Sequence, residues 1–345
     1  MKRRAAHAAG AAGAARKCAD VSALLLAWYA RGHRDLPWRA TRDPYRIWIS
    51  EIMLQQTRAQ AVIPYYARFL ARFPTVEALA AAEEEDVLAA WAGLGYYSRA
   101  RNLWRAARQI AATGAFPRDY AAIRALPGIG DYTAAAVASI AFGLPHAVLD
   151  GNVMRVVARV RNDPSETGSA LTRERFRGVA QQWLEESRGA PGAFNQALME
   201  LGATVCLPKN PLCLLCPLAA CCEARARGAP QELPVKLRKT EPVMLAETLL
   251  LVRRGETILL RRRERDARHM AGFWDLPARG DLRAREVERL GEFHHTITHH
   301  HFTFTVIAAR ARPSGKQFAW FSPAQFANIP LATTARKALR LARVL

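Results

Sequence analysis

Two carboxylates lie in settings that suit acid–base and electrostatic chemistry. Glu51 occurs within RIWISEIMLQQT, among Ile, Trp, Met and Leu residues. An apolar setting raises the pKa of a carboxyl group, so such a group can keep its proton near neutral pH and act as a general acid. The sequence also allows Glu51 to lie on the wet face of an amphipathic helix. Asp150 occurs in VLDGNVMRVVARV, downstream of a turn with two glycines.

That turn, in LPGIGDYT, precedes a long apolar run and predicts an anion-binding element. Gly128 and Gly130 permit a tight turn with positive φ. The first amides of the following helix have no partner within the helix, so they can point at a phosphate together with the amides of the turn. Such a turn would hold a phosphate backbone without reading a sequence. A plain connection between two helices is the alternative.

Four cysteines have a spacing that predicts a metal or cluster site. They follow the pattern C-x6-C-x2-C-x5-C, at Cys206, Cys213, Cys216 and Cys222. Four thiolates on a short loop hold zinc or an iron–sulfur cluster. The gaps of six and five residues are longer than the paired cysteines of common zinc ribbons and favour the bulkier cubane. Cys221 is an alternative fourth ligand.

The charge and the termini predict the class of partner. The chain has 50 Lys+Arg against 30 Asp+Glu, so we expect a polyanion. No apolar stretch is long enough for a membrane span, and residues 1–19 have the composition of a disordered basic tail without the apolar core of a signal peptide. Clustered cysteines are also unlike a disulfide framework. These features predict a cytoplasmic, nucleoid-associated protein that does not bind membranes.

The elements that must position these residues fall into two parts. Apolar residues at helical spacing predict an all-α domain over residues 20–225. Residues 226–240 are charged and contain proline, which predicts a linker. Residues 241–345 predict a mixed α+β domain, with a hairpin around RGE and a closing helix capped by Thr333 or Thr334.

Several segments together resemble a known family. LPWR, DPYRIWISEIMLQQT, GLGYYSRARNL, LPGIGDYT, LDGNV and the cysteine loop resemble the MutY family of adenine DNA glycosylases, within the endonuclease III-like superfamily, over about residues 35–222. The resemblance implies a helix–hairpin–helix DNA glycosylase domain with one [4Fe–4S] cluster on residues 206–222 and Cys222 as its fourth ligand. It also implies a monomer that acts in base excision repair, on duplex DNA with adenine opposite 8-oxoguanine or guanine. A monovalent cation on the hairpin carbonyls belongs to the same resemblance.

The resemblance assigns chemical roles to named residues. Glu51 protonates N7 of an extruded adenine and then helps water to add, while Asp150 stabilises the oxocarbenium-like sugar. Asn152 and Tyr132 orient these groups. In lyase members of the superfamily the position of Tyr132 is a lysine that forms an imine with the sugar, and tyrosine has no amine. We therefore expect a monofunctional glycosylase, rather than a lyase on oxidised pyrimidines or a non-catalytic iron–sulfur DNA-binding protein.

The resemblance also implies residues that hold the DNA. Extrusion of a base leaves a gap in the duplex. Gln56 and Tyr97 are expected to intercalate beside 8-oxoguanine, while Thr57 contacts it. The positions that line the adenine pocket are Arg34, Trp38 and Glu200.

The C-terminal part resembles Nudix-like folds through AGFWDLPAR, but the metal-binding Nudix box is absent from the sequence. We therefore expect a Nudix-like domain that reads 8-oxoguanine without pyrophosphatase chemistry. Where the family has Phe-Ser-His, this chain has Ile297, Thr298 and His299. The threonine keeps the hydroxyl, whereas the isoleucine removes an aromatic contact. The run of histidines from His294 to His301 suits an exposed strand edge or a metal site.

Overall fold

The computed structural model describes residues 20–235, 241–264, 270–297, 299–327 and 329–345. The predicted tail and the end of the predicted linker lie outside the described residues. The first part is helical. Its α-helices are α1 (Val21–Arg31), α2 (Pro44–Leu54), α3 (Ala59–Arg72), α4 (Val76–Ala81), α5 (Glu84–Ala90), α6 (Ser98–Thr113), α7 (Tyr120–Arg124), α8 (Asp131–Phe142), α9 (Gly151–Val160), α10 (Ala170–Glu185), α11 (Pro191–Thr204) and α12 (Glu223–Ala226).

The second part is a mixed sheet with a closing helix. Its elements are β1 (Val243–Arg254), β2 (Thr257–Arg262), β3 (Trp274–Asp275), β4 (Ala284–Ile297), β5 (His300–Ala311), β6 (Phe318–Phe321) and α13 (Thr333–Leu341). The strand order is β3-β2-β1-β5-β4, and β6 pairs with β2. β1 and β5 run parallel, whereas β4 and β5 are antiparallel. The predicted helical region followed by an α+β region is confirmed.

Local sequence explains how the two helices that carry the candidate carboxylates begin. Asp43 caps α2 by accepting a hydrogen bond from the amide of Tyr45 at 2.9 Å. Pro44 follows at the first helical position, where its missing N–H has no partner to lose. Asp150 is itself the N-cap of α9. The second candidate carboxylate is therefore held by the helix that it starts.

The chain divides into two compact units that are not continuous in sequence. One contains Met1–Asp35, Asp119–Ala121 and Asp131–Leu237, and the other contains Leu36–Arg118, Ala122–Gly130 and Arg238–Leu345. In the first unit, α1, α8, α9, α10 and α11 pack around buried Val, Leu, Ala and Phe side chains. In the second unit, α2 packs on α3 and α6, and Leu250, Leu259 and Ile307 belong to a core at the sheet. The predicted domain boundaries stay predictions.

Two predictions for the C-terminal part have different outcomes. The hairpin is confirmed, because β1 and β2 pair antiparallel and Gly255 between them has a φ of 57°. The threonine cap of the closing helix is wrong, because α13 follows Ala332 and has no side-chain cap. The hydroxyl of Thr334 instead donates to the buried carboxylate of Asp275 at 2.8 Å.

Part of the predicted linker contacts the first unit. Leu233 lies in the core of the first unit, and its carbonyl accepts a hydrogen bond from Nε of Arg159 at 2.9 Å. The carbonyl of Val235 accepts from the amide of Thr167 at 3.2 Å. Leu233 is buried there, whereas residues 226–228 are exposed, and the bounds of the linker stay a prediction. Among the helices of the described residues, none is long and apolar enough to cross a membrane.

Candidate active site

Glu51 lies on α2, and the structure decides between its two sequence-based interpretations. Its exposed fraction is 4%, and every residue from Ile47 to Met53 is buried. A carboxyl group on the wet face of a helix would be exposed, so that alternative is wrong. The apolar surroundings are the setting that a general acid needs.

Asp150 is held in a fixed orientation at the start of α9. Its Oδ1 accepts from the amide of Val153 at 2.7 Å, and its Oδ2 accepts from Nδ2 of Asn152 at 2.9 Å. Burial raises the pKa of the Asp150 carboxyl above its ordinary value, and these two hydrogen bonds oppose the rise. Each oxygen keeps a further lone pair that can face positive charge. The structure therefore brings Asn152 to the carboxylate that it was predicted to orient.

A side chain that sequence reasoning missed extends this arrangement. Nη2 of Arg155 donates to Oδ1 of Asn152 at 2.8 Å and to the carbonyl of Gly202 at 2.7 Å. Nε of Arg155 donates to the carbonyl of Cys206 at 2.7 Å. The signal was present in VMRVVARV, where an arginine interrupts an apolar helix. Arg155 thus connects Asp150, through Asn152, to the start of the cysteine loop.

The four cysteines predicted as ligands carry free thiols and line one cavity together with Arg159. Cys221 is not among the residues that line it. Arg159 is 1% exposed, and its Nη1 lies 3.4 Å from Sγ of Cys206 and 2.7 Å from the carbonyl of Leu207. Burial raises the pKa of Cys216 to about 12. In the part of the chain that the structure describes, no three His, Cys, Asp or Glu side chains are grouped closely enough to hold a single metal ion.

Two of the residues predicted for the adenine pocket form an ion pair in the first unit. Nε and Nη2 of Arg34 donate to Oε1 and Oε2 of Glu200 at 2.9 and 2.7 Å. Glu200 is 2% exposed, and its hydrogen bonds raise the pKa of the Arg34 guanidinium. Trp38 lies in the second unit, where it is buried edge-on against Tyr66 with ring centroids 5.5 Å apart.

Tyr132 is the second residue of α8, at the position that the sequence resemblance compares with the lysine of lyases. Its side chain is half-buried, and its hydroxyl lies 3.1 Å from Sδ of Met199. Methionine sulfur is a weak acceptor. A phenol in this place can donate a hydrogen bond but cannot form an imine.

The glycine turn before α8 needs glycine for two reasons. Gly128 has a φ of 76°, which favours glycine, and a Cβ there would lie 2.5 Å from Cβ of Asn102 on α6. Gly130 faces open space. Both glycines are exposed, so the amides of the turn are accessible to a phosphate.

The two tyrosines of GYYS differ in exposure. Tyr97 is 5% exposed, and its ring lies 4.0 Å from that of Phe273. Its intercalation stays a prediction, and its burial makes it a poorer candidate than its neighbour. Tyr96 is 48% exposed and has a left-handed φ of 47°. Gln56 is likewise exposed, with a φ of 57°, and Thr57 beside it is half-buried.

The proposed reader of 8-oxoguanine falls at the turn between β4 and β5. Ile297 ends β4, and Thr298 lies outside the described residues. His299 is half-buried, with its ring 4.1 Å from that of His300. Among the described histidines of this run, no metal-binding group of three ligands is formed.

Two family models match the chain. One describes HhH-GPD superfamily base excision DNA repair proteins and covers residues 49–182, and the other describes NUDIX domains and covers residues 248–341. The chain is also 33% identical to the adenine DNA glycosylase of Mus musculus, over 94% of this chain and 78% of that protein. The chain belongs to the adenine DNA glycosylase family. The helix–hairpin–helix and Nudix-like parts of the predicted fold class are confirmed.

Two further similarities agree with adenine DNA glycosylase membership. The chain is 46% identical to the adenine DNA glycosylase of Homo sapiens over 232 residues, which are 63% of this chain but only 42% of that protein. A solved thermostable thymine-DNA glycosylase is 30% identical and superimposes with a TM-score of 0.52, over 60% of this chain and 95% of that structure. The helical part therefore has the fold of a DNA glycosylase.

Proposed function

We propose that this chain is an adenine DNA glycosylase of base excision repair, which hydrolyses the N-glycosidic bond of adenine opposite 8-oxoguanine or guanine. The observation that carries the proposal is the burial of Glu51, at 4% exposure, within the segment that matches the HhH-GPD model. The positive net charge of +20 suits binding to the DNA backbone.

In the proposed reaction, Glu51 acts on the base and Asp150 acts on the sugar. Glu51 donates its proton to N7 of adenine, so the electrons of the C1′–N9 bond leave with a neutral base. Asp150 accepts hydrogen bonds from Val153 and Asn152, and its negative charge stabilises the positive charge that develops on the sugar. Water then adds to C1′, and its proton returns to Glu51. The products are free adenine and an abasic site.

Hydrolysis without strand cleavage follows from Tyr132. A lyase forms a covalent imine through an amine, and Tyr132 supplies only a hydroxyl that lies 3.1 Å from Sδ of Met199. Arg34 and Glu200 are proposed, with Trp38, to contact the extruded adenine, because paired charged groups that are already ordered provide fixed donors and acceptors.

Base extrusion requires a group that fills the gap in the duplex. We assign that role to Gln56 and Tyr96, since both side chains are exposed, and we retain Thr57 as a contact with the opposite base. The hairpin amides at Gly128 and Gly130 hold the DNA backbone. Backbone carbonyls of the same hairpin are the proposed place for a monovalent cation.

A [4Fe–4S] cluster fits the cysteine loop better than zinc does. Four free thiols line one cavity, yet no three are grouped closely enough for a single ion. A cubane is larger than one ion, so its ligands surround it at greater separations. When bound, the cluster supplies positively charged iron that stabilises four thiolates and thereby fixes the loop. Cys206, Cys213, Cys216 and Cys222 are the proposed ligands.

The proposed readers of 8-oxoguanine are Ile297, Thr298 and His299. NUDIX-model similarity over residues 248–341 supports a Nudix-like domain there. The proposed assembly is a monomer on duplex DNA, located with the nucleoid in the cytoplasm.

The proposal is tested by an excision assay on duplexes with adenine opposite 8-oxoguanine, guanine or thymine. We expect release of adenine from the first two and strand cleavage only after separate alkali treatment. Release of an oxidised pyrimidine instead, with cleavage in the absence of alkali, would identify a lyase and overturn the proposal.

A further inference from the structure

Arg99, the second residue of α6, binds two segments of the chain through one guanidinium group. Its Nη1 donates to the carbonyls of Ile52, Met53 and Gln55 at 2.8, 3.2 and 2.5 Å. Its Nη2 donates to the carbonyls of Leu94 and Gly95, both at 3.1 Å. Burial lowers the pKa of Arg99 to about 10, so the side chain stays charged at neutral pH.

The two segments have the same unusual backbone feature. Gln56 and Tyr96 are non-glycine residues with φ values of 57° and 47°, a region in which the Cβ atom crowds the backbone. Such residues persist only where neighbouring contacts hold them. Arg99 binds the carbonyl of the residue directly before each one, Gln55 and Gly95 respectively.

The contacts of Arg99 require its forked shape. The first three acceptors lie at the C-terminal end of α2, where the negative end of the helix dipole favours a cation. The guanidinium carbon also lies 5.5 Å from the ring centroids of both Trp91 and Tyr96. An ammonium group has the same charge but cannot span two sets of carbonyls.

We propose that Arg99 is a positioning residue that fixes Gln56 and Tyr96, with the end of α2, as one rigid element, so that both side chains enter the DNA together. The part of this inference that concerns DNA rests on the proposed function. The part that concerns the free protein does not. Arg99 touches neither the base nor the sugar in this proposal, and it acts through the two backbone segments.

Hydrogen exchange on the free, full-length protein tests whether Arg99 fixes the segments around Gln56 and Tyr96. Arg99→Lys is compared with Arg108→Lys, an exposed arginine of the same helix whose guanidinium lies over Trp104. We expect Arg99→Lys to accelerate exchange about tenfold in both 54–58 and 93–98, while 153–160 and the control variant stay unchanged. Acceleration in one segment alone, or in neither, would overturn the proposal.

A second variant covers the case in which Arg99→Lys destabilises the whole chain. Glycine adopts left-handed φ without strain, so Gln56→Gly with Tyr96→Gly keeps these backbone conformations and removes the strain that Arg99 is proposed to offset. The loss of thermal midpoint caused by Arg99→Lys is then expected to shrink in that background. An equal loss of thermal midpoint in both backgrounds would contradict the proposal that Arg99 holds these two residues.

Base extrusion tests the coupling with a readout that a purely structural role would not move. Fluorescence of 2-aminopurine opposite 8-oxoguanine reports unstacking in the duplex. We expect Tyr96→Ala and Gln56→Ala each to reduce the fluorescence rise about fivefold in the native background, and less than about twofold after Arg99→Lys. If each alanine substitution still reduces the fluorescence rise about fivefold after Arg99→Lys, Gln56 and Tyr96 act independently of Arg99. That result would contradict the proposal. Absence of adenine excision by the native protein would instead refute the proposed function and leave the exchange result interpretable.

Discussion

At the scale of single residues, the two candidate carboxylates lie in different settings. Asp150 accepts two hydrogen bonds and heads a helix, so it is held as an acceptor that can face positive charge. Glu51 is 4% exposed and lies within a run of α2, from Ile47 to Met53, in which every residue is buried. The first arrangement suits stabilisation of a cation and the second suits donation of a proton.

Glu51→Gln removes the acid and keeps the shape of the side chain. We expect excision of adenine to fall about 10²–10⁴-fold, the range that general acid catalysis contributes, with binding to the mispair retained. Single-turnover excision measures the effect, and Glu83→Gln, at an exposed glutamate, controls for the change in net charge. Excision by Glu51→Gln within about threefold of the native rate would remove Glu51 from the mechanism.

Asp150→Asn separates the chemical role from the capping role, because asparagine caps helices as well as aspartate does. We expect folding to be retained and excision to be largely lost. In the native enzyme, burial raises the pKa of Asp150 above 3.8, so activity that needs the ionised form is lost as pH falls through that raised pKa. An Asp150→Asn variant with native activity would contradict this assignment.

The same raised pKa makes a stability prediction. A carboxyl whose folded pKa exceeds its unfolded pKa contributes stability at low pH and loses that contribution as pH rises through the folded pKa. Asp150→Asn does not titrate there. The free energy of unfolding of the variant relative to the native chain is therefore expected to increase as pH rises from the unfolded pKa of an aspartate through the raised pKa of Asp150, as measured by denaturant titration.

At the scale of elements, α9 joins the candidate chemistry to the candidate cluster. Its N-cap is Asp150, and farther along Arg155 and Arg159 donate to carbonyls of residues 206–207. Loss of order in the cysteine loop would therefore reach the carboxylate through Arg155 and Asn152. The loop is expected to affect catalysis without touching the DNA sugar.

Cys222→Ser and Cys221→Ser distinguish the two candidate ligands at the end of this loop. Cys222 lines the cavity with the other three thiols and Cys221 does not. We expect Cys222→Ser to lose most of its iron and visible absorption, and Cys221→Ser to keep both. Metal analysis and absorption spectra check this, and the opposite order of losses would mean that Cys221 is the ligand. Zinc with no visible absorption in the native chain would reject the cluster.

Sequence patterns predicted the helices and strands more successfully than they predicted which individual side chains are exposed. Helical spacing and the RGE turn are local properties, and both were confirmed. The choice between Tyr96 and Tyr97 depends on Phe273, which is distant in sequence and covers Tyr97. Thr334 similarly donates to Asp275 across the C-terminal part and does not cap its own helix. Such choices depend on tertiary contacts that a single sequence does not contain.

At the scale of the whole molecule, the Nudix-like part also contacts the helices α5 and α6. Within the second unit, Phe273 packs on Tyr97, and Arg101 of α6 donates to the carbonyl of Ala271. Arg262 of β2 also pairs with Glu85 of α5. Removal of residues 241–345 would expose Tyr97 and disturb the neighbouring Tyr96. In a truncated chain, loss of lesion recognition could not be separated from a disturbance of Tyr96, which is proposed to fill the gap in the duplex. Point variants in the full chain therefore give the cleaner test.

Thr298→Ala with His299→Ala, in the full chain, removes the polar groups proposed to contact atoms that 8-oxoguanine has and guanine lacks. A good polar contact of this kind contributes about 1–3 kcal/mol of discrimination, so we expect the ratio of excision rates for the two mispairs to shrink about tenfold or more. Both duplexes are measured at one salt concentration, because phosphate contacts weaken with salt. His301→Ala, on an exposed residue of β5, is the control. An unchanged ratio would mean that Gln56, Thr57 and Tyr96 read the opposite base alone.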